Sequence, residues 1–390
     1  MSVVRSVLLL GASGSIGTQT IDVLSAHPER FVLKGFSVGK RIGCIPDILT
    51  RFPTVTHVCV QMAEDAEILR QTHPDLTIYH GDEGLVELIE QCDCDMVVNA
   101  LVGFAGLVPT MTALRLNKIL CLANKESLVV GGGLIRELRA KKEINPVIHP
   151  IDSEHSGVAK LLTLFSLGER DEIKNVFITA SGGSFRHLRR DELKGVTPEQ
   201  ALAHPTWSMG AKITIDCATM MNKGFEIIEA CELFNFSPDR VHPLMHDESR
   251  CHAIIQSTYG EYYADISKPD MHGPIEYALF ECTGPFEPAV ARKLEDYEGC
   301  HFHAFDPERY PAVGIALNAY KRGGNATAIL NAANETAVYA FLDKRLPFLQ
   351  IEAVIQKALD EIPFIERPSL EQIIATDKAT RAFVEAHIGE

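Results

Sequence analysis

The chain has 390 residues and a formal net charge of −15, long enough for about two to three domains with their own cores and too acidic for a general binder of phosphate backbones. With 46% hydrophobic and 23% charged residues, the composition is that of a globular protein, which excludes disordered, collagen-like and coiled-coil designs. The ten cysteines form no CxxC pair, and the closest, Cys92 and Cys94, are expected to point apart. That usage suits a reducing compartment, and the apolar run Val7 to Leu10 is too short for the core of a signal peptide, so a cytoplasmic location is expected.

In chain order, Ser6 to Leu10 predicts a strand running into the glycine-rich turn GASGSIG at 11–17, with Ile21, Val23 and Leu24 marking a helix face behind it. Short apolar runs follow at Phe31 to Val38, His57 to Val60, Met96 to Ala100, Ile119 to Ala123 and Val147 to Ile151, with a helical pattern at Ala63 to Thr72 between them. This alternation predicts an α/β fold with an N-terminal, Rossmann-like, doubly wound parallel sheet. The charge-free stretch Met96 to Leu114 is broken by Asn99, Gly103, Gly106 and Pro109, and reads as a buried strand, turn and helix instead of a membrane span. After residue 150 the pattern changes: Asn175 to Ala180 reads as a strand, and Ala253 to Tyr259 with Tyr262 to Ser267 as a hairpin around Gly260-Glu261. A central α+β catalytic domain is therefore expected. Helical periodicity at Ala312 to Lys321, Ala326 to Leu342, Ile351 to Ile362 and Ser369 to His387 predicts a C-terminal helical bundle. The expected boundaries are 1–150, 151–285, a linker at 286–311, and 312–390.

The turn Gly11, Gly14, Gly17 can present backbone N–H groups and a helix N-terminus to a pyrophosphate. The next strand ends in Gly39, Lys40 and Arg41 where an NAD site often has an acid, which suggests the 2′-phosphate of NADP; two solvated surface cations remain the alternative. Asp152-Ser153-Glu154-His155 puts two carboxylates two residues apart, and Glu226 offers a third. Carboxylate oxygens without cysteine favour a hard ion, Mg²⁺ or Mn²⁺, over zinc, although a solvated acidic loop is the better explanation of the first two taken alone. Lys223 can bind phosphate as a point charge, and Asn222 can cap a helix. Ser181-Gly-Gly-Ser184 exposes amides and hydroxyls to an anion, and His204 to Gly210, with the only tryptophan, reads either as a lid or as a loop with one aromatic packed inward.

Together with Gly103-Phe-Ala-Gly-Leu107, Leu122-Ala-Asn-Lys-Glu-Ser-Leu-Val129, Ala218-Thr-Met-Met-Asn-Lys-Gly224 and Asn331-Ala-Ala-Asn-Glu335, these segments resemble the 1-deoxy-D-xylulose-5-phosphate reductoisomerase family nearly end to end. The resemblance implies a three-domain homodimer that binds neither nucleic acid nor membrane. In it NADPH reduces an aldehyde formed by metal-assisted rearrangement of a ketose phosphate, on the route of non-mevalonate isoprenoid synthesis. By motif position, Asp152, Glu154 and Glu226 would hold the metal, with Lys125, Glu154 and Glu226 catalytic. Lys125, Ser153, Glu154, His204 and Glu226 would meet the substrate, with Ser181, Cys217, Asn222 and Lys223 at its phosphate. NADPH would meet Ser13, Gly14, Ser15, Ile16, Gly39, Lys40, Arg41, Asn124, Glu126 and Gly210, and Trp207, Ser208 and Met209 would form the lid. The chain departs from the family pattern at Cys217, where serine is usual, at Arg41, where asparagine is common, at His246-Asp-Glu-Ser249 in place of His-Pro-Gln-Ser, and at Ser156-Gly157. A plain NADP-dependent carbonyl reductase and a non-catalytic nucleotide sensor are the rival readings.

Overall fold

The computed structural model describes residues 3–165, 171–283 and 294–388. Its chain divides into two compact units. The first runs to Ser127, resumes over Ile135–Asp152 and includes the segment from Asp270 that carries the helix His272–Leu279. The second comprises Leu128–Leu134, Ser153–Pro269 and the C-terminal part of the chain.

In the first unit, strands β1 (Arg5–Leu10), β2 (Phe31–Ser37), β3 (His57–Val60), β4 (Thr77–His80), β5 (Met96–Asn99), β6 (Ile119–Leu122) and β7 (Ile148–Pro150) form one parallel sheet in the order β4-β3-β2-β1-β5-β6-β7. Val7, Leu8, Leu9 and Leu10 are all fully buried, as expected of a strand covered on both faces. The order reverses between β1 and β5, and the crevice at such a switch point is where open α/β sheets bind ligands. β4 is not foreseen from sequence, because only Ile78 and Tyr79 of its four residues are buried at the sheet edge. The helix His272–Leu279 was expected in the second domain. It belongs to the first unit, because Ile275, Leu279 and Phe280 bury with Phe31, whose ring meets Phe280 edge-on at 5.2 Å.

In the second unit, β8 (Ile173–Ala180) pairs antiparallel with β10 (Cys251–Ser257), which forms the expected hairpin with β11 (Tyr262–Ile266). The strand β9 (Val241–Met245), missed because Pro243 interrupts it, lies parallel to β8 at the edge of the sheet β11-β10-β8-β9. The expected linker at 286–311 falls partly outside the described residues; within its described part, His303 bridges to Met245 through two backbone hydrogen bonds of 3.1 and 2.9 Å. Four helices follow at Pro311–Arg322, Ala326–Leu342, Gln350–Glu361 and Leu370–His387. They share one core with Leu193, Ile215, Met221, Phe225 and Ile228, so the expected catalytic and helical domains form one compact unit. Among the described residues, no helix is long and apolar enough to cross a membrane.

The cysteine expectation is corrected. Cys92 ends the helix Gly81–Gln91 and Cys94 sits in the turn before β5, where Lys118 Nζ binds both carbonyls and the two thiols are neighbours.

A tight approach fixes the glycine turn: a Cβ on Gly17 would stand 2.6 Å from Ala12 Cα, inside the contact limit of real side chains. Gly17→Ala should therefore cost about 2 kcal/mol despite the better helix propensity of alanine. Urea unfolding should show a lower midpoint with an unchanged slope, and an unchanged midpoint would mean that the turn yields freely.

Candidate active site

The first unit carries the expected cofactor cradle. Gly11 follows β1 with φ +86°, and a Cβ there would lie 2.7 Å from the Ala100 carbonyl oxygen behind β5. Gly14, extended at φ −81° and ψ 174°, is the N-cap of the helix Ser15–Ala26, so Ser15 and Ile16 begin its first turn with their N–H groups at the electropositive end. Arg41 donates from Nη2 to the Ser13 carbonyl at 2.5 Å, which braces the turn from the end of β2. Gly39, Lys40 and Arg41 are placed on the exposed or open side of that loop, Gly39 with no atom near where its Cβ would be.

Asn124 has a structural part besides the one expected of it. It is buried; its Nδ2 donates to the carbonyls of Leu101 and Gly103, each at 2.9 Å, and to Glu126 Oε2 at 3.2 Å. Its Oδ1 caps the helix Lys125–Arg139 by accepting the Ser127 N–H at 3.0 Å. Asn124 thus shapes the loop wall as well as capping the helix. Beside it, Lys125 is buried and its Nζ stands 2.7 Å from Asp152 Oδ2.

The second unit begins inside the acidic motif, at Ser153. Ser153 starts the helix Ser153–Leu162, and its Oγ donates to Glu154 Oε2 at 2.5 Å. Glu154 Oε1 accepts from Lys223 Nζ at 3.1 Å, and Lys223 also pairs with Glu226 three residues along its own helix, Met221–Phe234. Asn222 Nδ2 donates to Glu226 Oε1 at 2.5 Å, so Asn222 sits inside the helix and ties the acid instead of acting as its cap. Lys223 and Glu226 are only 3% and 2% exposed, so one buried cation is shared by two carboxylates. Gly224 allows this helix to pack closely: a Cβ there would be 2.7 Å from Ala316 Cβ.

The residues expected at the substrate's phosphate lie in the same unit. Gly182 and Gly183 have φ of +83° and +68°, and a Cβ on Gly183 would meet the Cys217 carbonyl oxygen at 2.6 Å, which seats the Ser181 turn against the helix Ala211–Thr219. Met220, left-handed at φ 65°, ends that helix and opens the next, so Asn222 and Lys223 stand at an electropositive N-terminus. His204 Nδ1 accepts the backbone N–H groups of Thr206 and Trp207 at 3.2 and 3.0 Å, which leaves the ring proton of the neutral imidazole on Nε2, 3.2 Å from Ser181 Oγ. The Trp207 ring lies edge-on to His252 with centroids 6.3 Å apart, while Ser208 and Gly210 are exposed and Met209 is half-buried.

Patterns described as 1-deoxy-D-xylulose 5-phosphate reductoisomerase, as that enzyme's C-terminal domain and as a DXP reductoisomerase C-terminal domain match residues 7–132, 148–234 and 266–383. The 1-deoxy-D-xylulose 5-phosphate reductoisomerase 2 of Bacillus thuringiensis subsp. konkukian is 44% identical over 387 residues, covering 98% of this chain and 100% of its own. The chain belongs to the 1-deoxy-D-xylulose 5-phosphate reductoisomerase family. Among solved reductoisomerases, that of Zymomonas mobilis in complex with NADPH superposes with a TM-score of 0.87 at 35% identity, over 100% of both chains. A DOX-P reductoisomerase in complex with NADPH, fosmidomycin and magnesium superposes at 0.89 with 32% identity, over 99% of this chain and 98% of that one.

Sequence reading missed one layer beneath the acids. His155 Nε2 donates to the Glu226 backbone carbonyl at 2.9 Å, and its Nδ1 lies 3.6 Å from Glu229 Oε2, all fully or nearly fully buried. The i, i+3 spacing of Glu226 and Glu229 puts both on one helix face, and that was the available signal.

Burial, and then the charge of Arg186, push the His204 imidazole below its ordinary value. The fold therefore favours the neutral ring; this contribution is complete above the ordinary imidazole range and is lost as pH falls through the depressed value. Anchoring of the 204–207 loop should weaken only on the acid side. Trp207 fluorescence titrated against pH should show that transition, His204→Gln should abolish it, and a transition surviving in the variant would assign it to another group.

Proposed function

We propose that this chain converts 1-deoxy-D-xylulose 5-phosphate to 2-C-methyl-D-erythritol 4-phosphate, a carbon-skeleton rearrangement followed by reduction that depends on NADPH and a divalent metal. The observation that carries the reading is the Glu154–Lys223–Glu226 cluster, with Lys223 and Glu226 buried, in a chain of the reductoisomerase family. A plain carbonyl reductase has no need for it.

The donor set fits a hard cation, since Asp152, Glu154 and Glu226 offer only carboxylate oxygens, and we assign these three as the ligands of Mg²⁺ or Mn²⁺. The glycine cradle likewise fits a dinucleotide pyrophosphate. When bound, the cation supplies Lewis-acid polarisation of the substrate's carbonyl and NADPH supplies the hydride. The remaining work falls to the chain. Lys125 holds Asp152 in place and presents its ammonium to the substrate. Ser153 and His204 orient substrate hydroxyls, with His204 held as an Nε2–H donor by the two amides behind it.

Ser181 Oγ accepts from Gly183 N–H at 3.4 Å and faces His204, so its own O–H is left to donate to phosphate beside Cys217, Asn222 and Lys223. Trp207, Ser208 and Met209 cover the reacting centre and exclude water, with Gly210 as the hinge. Ser13, Gly14, Ser15, Ile16, Gly39, Lys40, Arg41, Asn124, Glu126 and Gly210 receive NADPH, with Lys40 and Arg41 selecting the 2′-phosphate. The reading extends to a homodimer working in the cytoplasm.

The test is NADPH oxidation with 1-deoxy-D-xylulose 5-phosphate, with and without Mg²⁺ or Mn²⁺, and identification of the product. Metal-dependent formation of 2-C-methyl-D-erythritol 4-phosphate is expected; full activity after chelation would favour the plain carbonyl reductase. Glu226→Gln should lower kcat by about 10²- to 10³-fold with NADPH affinity nearly unchanged. Equal loss of cofactor binding would show that Glu226 serves the fold. At the phosphate, Cys217→Ser replaces a weak donor by a hydroxyl and should lower KM about fivefold, the worth of about 1 kcal/mol, with kcat unchanged. An unaltered KM would place the Cys217 side chain away from the phosphate.

A further inference from the structure

Remote from every residue assigned above, the turn between the helix Gly81–Gln91 and β5 gathers two thiols and an ammonium. Lys118, just before β6, places Nζ 3.1 Å from the Cys92 carbonyl, 2.9 Å from the Cys94 carbonyl and 3.3 Å from Cys94 Sγ. The two carbonyls fix the cation on the turn, and the turn in turn fixes it on one sulfur. The Cys92 thiol is close enough to the same sulfur for the two to titrate together.

The neighbouring Cys92 thiol, helped by the Lys118 charge, holds the Cys94 thiol below its ordinary value against burial and the nearby Asp95, while Cys92 is pushed up. The contrast with other cysteines is one of surroundings: Cys59 and Cys231, buried and near acids, are both pushed up to about 12. Although Cys92 and Cys94 are themselves buried, Gln91, Asp93 and Asp95 around them are exposed, so the pair lies one residue beneath the surface. A stabilised thiolate beside a protonated thiol is the arrangement of a reactive dithiol.

We propose that Cys92 and Cys94 are a redox-reactive pair that a hydroperoxide closes to an intramolecular disulfide. The Cys94 thiolate attacks the peroxide; an S–O bond forms, the O–O bond breaks, and the departing oxygen takes a proton from solvent and leaves as alcohol or water. Cys92 sulfur then attacks the Cys94 sulfenic acid; the S–S bond forms, the S–O bond breaks, and water leaves with the Cys92 proton. The pair gives up two electrons and the peroxide accepts them. Lys118 favours the first step by stabilising the thiolate.

The experiment treats the reduced, full-length protein with hydrogen peroxide at neutral pH and digests it with trypsin after alkylation. The segment 71–115 has only these two cysteines and ends at arginine on both sides, so it isolates the pair. The expected product is that peptide two hydrogens lighter, unalkylated, and restored by dithiothreitol. Lys118→Met should slow its formation about tenfold, and Cys92→Ala should stop Cys94 at a sulfenic acid that dimedone traps; neither residue belongs to the site, so turnover of the reduced variants should match that of the parent. The proposal is overturned if Cys44, Cys217, Cys282 or Cys300 oxidises first with the pair still alkylatable. It is equally overturned if Cys94 advances to sulfinic acid beside a free Cys92, or if Lys118→Met leaves the rate unchanged.

Discussion

The second unit turns on one buried ammonium held between two carboxylates. Lys223, 3% exposed, carries its charge between the partly buried Glu154 and the buried Glu226, and Glu226 in turn needs a cation beside it. Removing Lys223 leaves Glu226 buried without its cation, a penalty of several kcal/mol that favours the helices Ser153–Leu162 and Met221–Phe234 arriving in one register. Gly224 permits the second helix to approach Ala316, and His155 holds its backbone at Glu226. The acids are therefore assembled by packing, their oxygens held in position by the ammonium between them.

The cradle in the first unit solves a complementary problem, that of presenting many donors without charge. Gly11 and Gly17 bring the backbone of the turn within contact of Ala100 and Ala12, and Gly14 adds no side chain at the helix start. Arg41, one of the positions where the chain departs from the family pattern, spends part of its guanidinium on the Ser13 carbonyl. Its charge thus reaches the turn through a fixed contact, so the residue both braces the loop and adds to its positive potential.

Much of this was legible in sequence because the strongest signals are local. The strand His57–Val60 and the helices Ala63–Thr72 and Ala326–Leu342 coincide with their expected limits, since each has a clear period and clear punctuation. β4 and β9 were missed because edge strands bury little and tolerate proline. The boundary near 270 was misjudged because membership of a core is a long-range property: only in the fold does Phe280 meet Phe31. Within the site, motif spacing brought out the acids and the glycines. It did not show that Asn124 serves as a helix cap, nor that Glu229 lies beneath Glu226, for both depend on which way a buried side chain turns.

One last feature bears on how the second sheet meets other chains. The outer rim of β9 is sealed, because Met245 gives its outward N–H and C=O to His303, and Pro243, two residues earlier and facing the same way, has no N–H to offer. At the opposite rim, no described residue pairs with the outer edge of β11, and Tyr262 is exposed there. A sheet with one closed rim can accept a guest strand on one side only, so each addition leaves nothing on which a further one can build. Runaway stacking into fibres, the standing hazard of any four-stranded sheet with two bare margins, is thereby denied to this one.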